Sequence, residues 1–309
     1  MRIAFQMDHP SRLNAKTDTT FFLIEEGIAR GHTCYCYPVE MLSWRHGEVG
    51  AQLQRITIDQ SKSPIWSLGT PEPHSLHALD VVFMRQDPPF DMRYITATHL
   101  LEQLQPNTRV FNDPAGVRNA PEKISPLAFR QFMPPTLISL DVAEITAFAR
   151  EQNTIVAKPL YGYGGRGVFK LASADPNIET LIEHWMERGH EPLMWQQFRP
   201  EVTSADKRIL LIDGEVASVF QRKPADHSIR ANMRVGGTPE KSTLTAREEE
   251  ICATVGPWLK KEGLLLTGLD VIGSYLTEIN VTSPTGLRAA QTLYGTNLAA
   301  AIWDHIENA

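Results

Sequence analysis

The chain has 309 residues, a length that favours two or three lobes sharing a cleft over a single average domain. Its composition, with 42% hydrophobic and 21% charged residues, is that of an ordinary globular protein and excludes a largely disordered chain. The formal net charge of −6 argues against a broad basic surface for nucleic acid, so an anionic nucleotide would need a local basic pocket.

The cysteines and the N-terminal residues indicate in which cellular compartment the protein is expected. Cys34, Cys36 and Cys252 form no C-x-x-C pair and no even disulfide framework, which favours a reducing environment. Cys34 and Cys36 would lie on one face of a strand, where packing is the favoured interpretation and a redox or metal role is the alternative. No apolar stretch of signal-peptide length precedes Asp8, and no run approaches a membrane span. We therefore predict a cytoplasmic protein with no membrane or nucleic-acid partner.

The first third of the chain alternates strand and helix patterns. Short apolar runs predict strands, and helical apolar spacing that ends at Gly31 predicts a helix with a glycine C-cap. The predicted strands are residues 2–7, 32–39, 79–84 and 109–111, and the predicted helices are residues 20–30 and 92–104. Such alternation is typical of an α/β lobe whose parallel sheet is covered on both faces.

The pattern changes near Pro121, where paired strands with glycine-rich connections replace the alternating units. This change predicts a boundary between a domain of residues 1–121 and a mixed α+β domain of residues 122–309. The predicted strands there are residues 154–158, 168–171, 193–198, 208–212, 215–220, 264–272 and 275–281, and the predicted helices are residues 176–188 and 245–262.

A glycine-rich loop follows the strand that ends at Lys158. Gly162, Gly164 and Gly167 match the dinucleotide pattern G-x-G-x-x-G, but residues 168–171 continue as a strand where that pattern requires a helix. No G-K-[ST] ending is present either. A strand-loop-strand hairpin of this kind can close over phosphates with its backbone N–H groups, while Lys158 supplies positive charge. The alternative is a surface hairpin whose glycines only satisfy positive backbone dihedrals.

A metal site is predicted near the end of the chain. Glu278 and Asn280 are two residues apart in a strand and share one face. A tight hairpin around Gly273 would place Asp270 directly opposite Glu278, and two facing carboxylates repel unless a cation lies between them. Oxygen ligands of this type suit Mg²⁺ bridging substrate phosphates, whereas a solvated hairpin edge is the alternative.

The residues around this hairpin carry a family resemblance. Residues 276–285, together with Gly268 and Asp270 upstream, resemble bacterial glutathione synthetases of the ATP-grasp superfamily. Further similar segments are residues 84–91, 122–123, 158–167, 206–208, 230–232 and 236–237. The resemblance implies an ATP-grasp fold preceded by a Rossmann-like parallel-sheet lobe. It also implies a small lid lobe over about residues 122–190 and a catalytic lobe over about residues 191–309.

The resemblance implies a role for each matching position. The loop of residues 162–167 would lie over the triphosphate, and residues 196–199 would line the adenine. The residues implied to bind ATP are Lys123, Lys158, Gly162, Gly164, Gly165, Gly167, Gln196, Gln197 and Phe198. Two Mg²⁺ ions, for which Mn²⁺ is an alternative, would be held by Asp270, Glu278 and Asn280. The implied catalytic residues are Arg208 and Arg230, which would meet the γ-phosphate and the developing acyl phosphate, and Asn232.

Substrate residues are expected in both parts of the chain. Arg85 is a candidate for a substrate carboxylate because a guanidinium can bind one with two hydrogen bonds. Asn14 and Thr20 are further candidates, with N-capping of the helix as the alternative for this segment. A loop ending at Gly236 and Gly237 would close over the intermediate. The sequence departs from the family pattern at Gln86, where a lysine is usual, and at Gly286, where a cysteine is familiar, so both positions could affect substrate choice.

The implied reaction is ATP- and Mg²⁺-dependent ligation of glycine to the cysteinyl carboxylate of γ-glutamylcysteine through an acyl phosphate, which gives glutathione, ADP and phosphate. No Ser-His-Asp arrangement or H-E-x-x-H motif suggests another chemistry. The alternatives are an ATP-grasp ligase with another carboxylate or amine, and a nucleotide-binding protein without turnover. The resemblance also implies a homo-oligomer, a dimer or a tetramer.

Overall fold

The computed structural model describes residues 1–188, 192–204, 206–223 and 237–308. Their strands form an eight-stranded, a four-stranded and a five-stranded sheet. Within these ranges no helix has the length and apolar character needed to cross a bilayer. The elements predicted from sequence are all present, with ends that differ by at most a few residues.

The first sheet is mixed. Its strands are β1 (Arg2–Met7), β2 (Thr33–Tyr37), β3 (Leu42–Arg45), β4 (Glu48–Ile58), β5 (Trp66–Leu68), β6 (Glu72–Ser75), β7 (Val81–Arg85) and β8 (Arg109–Phe111). The predicted parallel pairing is confirmed for the neighbours β2, β1, β7 and β8. However, β4 pairs antiparallel with β2, β3, β5 and β6, so the prediction of a parallel sheet omitted half of its strands.

Three helices of this part begin at aspartate N-caps. They are α1 (Thr19–Ala29), α2 (Met92–Glu102) and α3 (Pro114–Asn119), and their caps are Asp18, Asp91 and Asp113. Each cap carboxylate accepts a hydrogen bond from a backbone N–H in the first turn, which satisfies a donor that the helix itself cannot. The segment of residues 17–20 therefore has a capping role, one of the two alternatives that its sequence left open.

The second sheet carries the glycine loop. It consists of β9 (Thr136–Ser139), β10 (Thr154–Pro159), β11 (Phe169–Ala172) and β12 (Leu193–Gln197), in the order β11-β10-β12-β9, with α4 (Val142–Gln152) and α5 (Ile178–Arg188) beside it. All its pairs are antiparallel. Its own apolar core includes Ile145, Ile155 and Trp195. The predicted strand-loop-strand arrangement around Gly162 is confirmed.

The third sheet carries the predicted metal hairpin. Its strands are β13 (Asp206–Ile212), β14 (Glu215–Lys223), β15 (Thr238–Lys241), β16 (Leu266–Ile272) and β17 (Tyr275–Asn280), in the order β15-β14-β13-β16-β17. Helix α6 (Ala246–Lys261) precedes β16 and begins with a capping box formed by Thr245 and Glu248. Short 3₁₀ turns lie at Pro10–Arg12, Val39–Met41, Leu76–Ala78, Ser125–Phe132 and Pro200–Thr203.

The last two helices are α7 (Leu287–Tyr294), which contacts β14 and β15 of the third sheet, and α8 (Leu298–Asn308), which contacts α1. Fully buried Trp303 of α8 packs beside Gly27 and Cys34, and its indole N–H donates to the carbonyl of Leu23 at 2.9 Å. Cys34 and Cys36 form no disulfide, and burial raises the pKa of both thiols to about 12. Protonated thiols in an apolar core favour the packing interpretation over a redox or metal role.

Candidate active site

A cavity of about 220 Å³ lies where the glycine hairpin faces the third sheet. Two further cavities in the described residues hold only about 10 Å³ each, too little for any nucleotide or peptide. The large cavity is lined by charged side chains of β10, β13, β14, β16 and β17 and by the backbone of the glycine hairpin. This combination of apolar walls and convergent charges defines the candidate site.

Most of the residues predicted for nucleotide and metal binding meet in this cavity. Those that line it are Lys123, Lys158, Gly162, Gly164, Gly165, Gln196, Gln197, Phe198, Arg208, Asp270, Glu278 and Asn280. Gly167, Gly237, Arg85, Asn14 and Thr20 do not belong to its lining. Arg230, Asn232 and Gly236 lie outside the described residues.

The hairpin of β16 and β17 has the predicted register at the site. Asp270 pairs with Glu278 and Gly268 pairs with Asn280, with an irregularity after Asp270. Gly273 makes the tight connection possible because its φ is +61°. Asp270 is also opposite Arg208 of β13, whose Nε and Nη2 donate to the two carboxylate oxygens at 2.6 and 3.2 Å. An arginine therefore offsets the charge of the facing carboxylates on one side.

Arg222 is a site residue that the sequence analysis missed. Arg222 is only 4% exposed, and its Nη1 donates to Asp270 Oδ2 at 3.1 Å. Nε donates to Asp206 Oδ1 at 2.8 Å, and Nη2 donates to the same oxygen. Asp206 and Asp270 are far from Arg222 in sequence, so no local motif pointed to this ion-pair network.

The two carboxyl groups bound by Arg222 differ in pKa. Burial raises the pKa of Asp270, but the charges of Arg208 and Arg222 and their three hydrogen bonds outweigh it, and the net shift is downward. At Asp206 burial prevails over the single arginine that donates to it, and the pKa is raised. Asp270 is therefore the more firmly ionised of the two.

Two lysines extend the positive charge toward the glycine hairpin. Lys158 Nζ donates to Gln196 Oε1 at 2.9 Å, and the amide of Gln196 donates to Thr136 Oγ1 at 2.9 Å. Burial lowers the pKa of Lys158, and the nearby charge of Glu278 offsets part of that shift. Lys123 Nζ lies 3.7 Å from Glu278 Oε1 and donates to the carbonyl of Gly162 at 2.6 Å.

Three glycines of the hairpin have positive φ values, which both interpretations of this loop allow. Gly164, Gly165 and Gly167 have φ values of +63°, +71° and +70°, a region that other residues occupy at a cost. Arg166, between them, lies over the ring of Tyr163 at 5.2 Å. Backbone N–H groups of glycine-rich turns can form an anion-binding concavity, which is compatible with a phosphate ligand.

The site residues fit a divalent cation by the chemistry of their donors. Asn280 Nδ2 donates to the carbonyl of Gly268 at 3.1 Å, which leaves its carbonyl oxygen available. Glu278 is partly exposed, and Asp270 retains acceptor capacity because two carboxylate oxygens together accept about four hydrogen bonds. No cluster of three His, Cys, Asp or Glu side chains occurs in the described ranges, so the donor set is two acids and one amide. Few protein ligands and an open cavity are typical of Mg²⁺ that also binds phosphates.

The predicted substrate residues Arg85, Thr20 and Asn14 lie outside the lining of the cavity. Arg85, at the end of β7, is 6% exposed, and it donates to Thr20 Oγ1 at 3.1 Å and to the carbonyl of Pro284 at 3.0 Å. Asn14 lies in an exposed turn, where its side chain accepts from the backbone N–H of Lys16. Arg85 thus supports the loop after β17, and the neighbouring Asp87 reaches the cavity itself.

The two departures from the family pattern have structural explanations. The buried side chain of Gln86 accepts a hydrogen bond from Gln6 at 2.5 Å and does not line the cavity. A lysine at position 86 would face this neutral amide. Gly286 has φ of +128°, and an added Cβ would lie 3.0 Å from the Phe220 ring. Glycine at position 286 therefore matches a backbone conformation that a side chain would strain.

Comparison with solved structures identifies the fold. The macrocyclase MdnC from Microcystis aeruginosa is similar with a TM-score of 0.69 and 15% identity, covering 100% of both chains. The D-cycloserine synthetase DcsG is similar with a TM-score of 0.68 and 15% identity, covering 99% of this chain and 100% of that one. The model of the prokaryotic glutathione synthetase ATP-grasp domain matches residues 122–295. The fold is that of an ATP-grasp enzyme, an ATP-dependent ligase.

The family follows from the full-length relatives. The model of the prokaryotic glutathione synthetase N-terminal domain matches residues 1–118. The glutathione synthetase of Brucella melitensis is 49% identical over 307 residues, covering 99% of this chain and 98% of the relative. That of Synechococcus elongatus is 40% identical over 308 residues, covering 96% and 95%. The chain belongs to the prokaryotic glutathione synthetase family.

Proposed function

We propose that this chain ligates glycine to the cysteinyl carboxylate of γ-glutamylcysteine at the expense of ATP. The observation that carries the proposal is the 220 Å³ cavity in which Asp270 and Glu278 face Arg208, Arg222 and two lysines beneath a glycine hairpin. A nucleoside triphosphate needs this arrangement of cations, backbone donors and metal-binding oxygens. The family assignment supplies the acceptor and donor substrates.

The nucleotide would lie between the hairpin and the third sheet. The backbone of residues 162–167 would cover the triphosphate, with Lys123 and Lys158 neutralising part of its charge. Gln196, Gln197 and Phe198, which belong to the cavity lining, would contact the adenine. Asp270, Glu278 and Asn280 would hold two Mg²⁺ ions, or Mn²⁺ in their place, which when bound neutralise phosphate charge and align the oxygens.

The first chemical step would form the acyl phosphate. A carboxylate oxygen of the dipeptide attacks the γ-phosphorus of ATP, the bond to the bridging oxygen breaks, and ADP leaves. Arg208 and Arg222 are fixed before substrate arrives, so they can stabilise the charge on the transferring group without reorganising. Arg230 and Asn232 would complete this set, and the loop that ends at Gly236 and Gly237 would exclude water from the intermediate.

The second step would form the peptide bond. The amine of glycine attacks the acyl carbon, phosphate leaves with the electron pair of the broken C–O bond, and the amine loses its proton. Asp87, which follows β7 of the first sheet, lines the cavity. Arg85, Thr20 and Asn14 would shape the part of the site that binds the dipeptide.

We further propose domains of residues 1–121 and 122–309, the latter with a lid lobe to about residue 190, a cytoplasmic location, and a homo-oligomer.

The test is ADP release by the purified protein with ATP, Mg²⁺, γ-glutamylcysteine and glycine, with mass spectrometry of the product. We expect glutathione only when all four are present, and we expect Arg230→Ala to abolish it. Arg150→Ala is the matched control because Arg150 is an exposed arginine that pairs with surface Glu179. ADP release with a different carboxylate and amine, but not with these two, would retain the ligase and refute its substrates. Nucleotide binding without ADP release under any condition would refute turnover.

A further inference from the structure

An aromatic contact joins the first sheet to the glycine hairpin. The rings of Phe90 and Tyr161 are nearly parallel, with an interplanar angle of 19° and 6.2 Å between their centroids. Phe90 follows β7, and Tyr161 immediately precedes Gly162 of the hairpin. Neither side chain belongs to the lining of the 220 Å³ cavity, so any effect of this pair on a ligand must pass through its neighbours.

Phe90 is the fixed member of the pair. Pro88 and Pro89 restrict the backbone before it, and Asp91 after it is the N-cap of α2. Its other side packs on Tyr94, with ring centroids 5.2 Å apart, and Tyr94 is fully buried. The turn that holds Phe90 is therefore anchored in the apolar core that the first and third sheets share.

Tyr161 is the adaptable member. It is 36% exposed and stands at the start of a loop whose glycines have positive φ values at positions 164, 165 and 167. Glycine-rich backbone loses much conformational entropy when it is ordered. The Phe90 ring supports this end of the hairpin from outside the cavity, and the hydrogen bond from Lys123 to the Gly162 carbonyl supports it from the cavity side.

We propose that Phe90 and Tyr161 are positioning residues whose ring contact orders the glycine hairpin over the nucleotide before the nucleotide binds. The inference rests on the proposed function only in taking a nucleotide as the ligand of the hairpin. A loop that is already ordered loses less entropy on binding, so affinity rises without any new contact to the ligand. The same turn brings Asp87 and Pro88 into the cavity lining, so the contact also connects the hairpin with the dipeptide end.

The test is calorimetric measurement of the dissociation constant of a non-hydrolysable ATP analogue with Mg²⁺. We expect Tyr161→Ala and Phe90→Ala each to weaken binding about three- to tenfold, the range of an aromatic pair. The double variant should bind no more weakly than the weaker single variant, because both remove one contact. Tyr161→Phe should stay within about twofold of the parent chain, because the ring and not the hydroxyl makes the contact.

Two controls separate positioning from folding. Phe90→Leu keeps an apolar contact with Tyr94 but removes the flat ring, so it should weaken binding without loss of the folded state. Trp44→Ala removes an aromatic that is 56% exposed on β3 and should leave binding unchanged. Unchanged affinity in Phe90→Leu and Phe90→Ala, or additive losses in the double variant, would overturn the inference.

The outcome is distinguishable from failure of the proposed function. If the variants lose affinity as expected but the parent chain makes no glutathione, the ligase assignment is refuted and the positioning role is retained. Glutathione formation with unchanged affinities would refute the positioning role alone. A parent chain that binds no nucleotide would overturn both.

Discussion

The two walls of the cavity are held in opposite ways. On the third sheet, Arg208, Arg222 and Asp270 are at most 7% exposed, and each makes hydrogen bonds with other residues of the site. On the glycine hairpin, the backbone itself faces the cavity and Tyr161 is 36% exposed. One wall is fixed by buried charge pairs, and the other is shaped by positive-φ glycines and a few edge contacts.

The difference corresponds to two tasks of a phosphoryl-transfer site. Charges that stabilise a transition state are most effective when they do not have to reorganise, which a buried ion-pair network provides. A loop that covers a nucleotide must also admit it, which requires a segment that can move at low cost. Variants in the two walls should therefore differ in what they change: turnover and stability in one, ligand affinity in the other.

The largest effect is expected from Arg222→Met. Removing this guanidinium leaves Asp206 without its arginine and Asp270 with Arg208 alone, and breaking such a buried pair costs about 3–5 kcal/mol. Urea unfolding should show a correspondingly lower free energy of unfolding. Arg150→Met, in an exposed pair with Glu179, should change stability by no more than about 0.5 kcal/mol. Equal effects of the two substitutions would contradict a special role for the buried network.

Glu278→Gln should leave the fold intact but reduce turnover. The substitution removes one of the two carboxylates of the predicted metal site, and loss of one preorganised electrostatic contact costs about a hundred- to a thousandfold in rate. The Mg²⁺ concentration for half-maximal rate should rise as well, because the amide is a weaker ligand. Steady-state rates over a Mg²⁺ titration measure both quantities.

Glu215→Gln is the matched control for that substitution. Glu215 begins β14 in the same sheet but is exposed away from the cavity. Its variant should keep the rate and the Mg²⁺ dependence of the parent chain. Unchanged Mg²⁺ dependence in Glu278→Gln would show that Glu278 is not a metal ligand.

The sequence predicted the metal-site residues of the third sheet better than the arginine that supports them. Two-residue alternation placed Glu278 and Asn280 on one face, and the short connection at Gly273 gave the register that opposes Asp270 to Glu278. Arg222 could not be found in this way. Its carboxylate partners are 16 and 48 residues away and belong to other strands, so only the sheet order brings them together.

The sequence also left elements of the fold unassigned for two different reasons. Strands β5 and β6 have three and four residues, none of them buried, so they carry no apolar periodicity to detect. By contrast, β4 alternates buried residues and α8 has Leu298, Ile302 and Ile306 at helical spacing. Those two signals were present and could have predicted both elements.

Gly167→Ala tests the glycine hairpin, which forms the wall of the cavity shaped by positive-φ glycines. Gly167 has φ of +70°, and an added Cβ would lie 2.9 Å from Pro159 Cγ, so alanine should disfavour the observed hairpin by about 1–2 kcal/mol. Because the hairpin can relax locally, the cost should appear as about five- to thirtyfold weaker nucleotide binding and not as lower global stability. Calorimetry with a non-hydrolysable ATP analogue, together with thermal unfolding, measures both.

Gly31→Ala provides the comparison for that variant. Gly31 also has a positive φ of +84°, but it follows α1 outside the cavity and an added Cβ would meet no atom within 4 Å. Its strain should therefore lower global stability and leave nucleotide affinity unchanged. The same response in both variants would mean that the hairpin is as rigid as the rest of the fold.

The smallest effect is expected at Glu122, which also belongs to the cavity lining. Its Oε1 accepts hydrogen bonds from the backbone N–H and the hydroxyl of Thr282, and burial raises its pKa above the ordinary 4.5. The folded protein thus binds this proton more tightly than the unfolded chain. Its contribution to stability is complete below pH 4.5 and is lost as the pH rises through the raised pKa.

Glu122→Gln removes this titration while keeping an amide oxygen that can accept from Thr282. The free energy of unfolding of the variant, relative to the parent chain, should therefore increase as the pH rises from about 4 to 8. Urea unfolding at a series of pH values measures the difference, in which contributions of all other groups cancel. Glu72→Gln, at a carboxylate that is 69% exposed, should show no such trend. If the stability of Glu122→Gln relative to the parent chain fell with rising pH, the folded protein would favour the charged carboxylate of Glu122 over its protonated form.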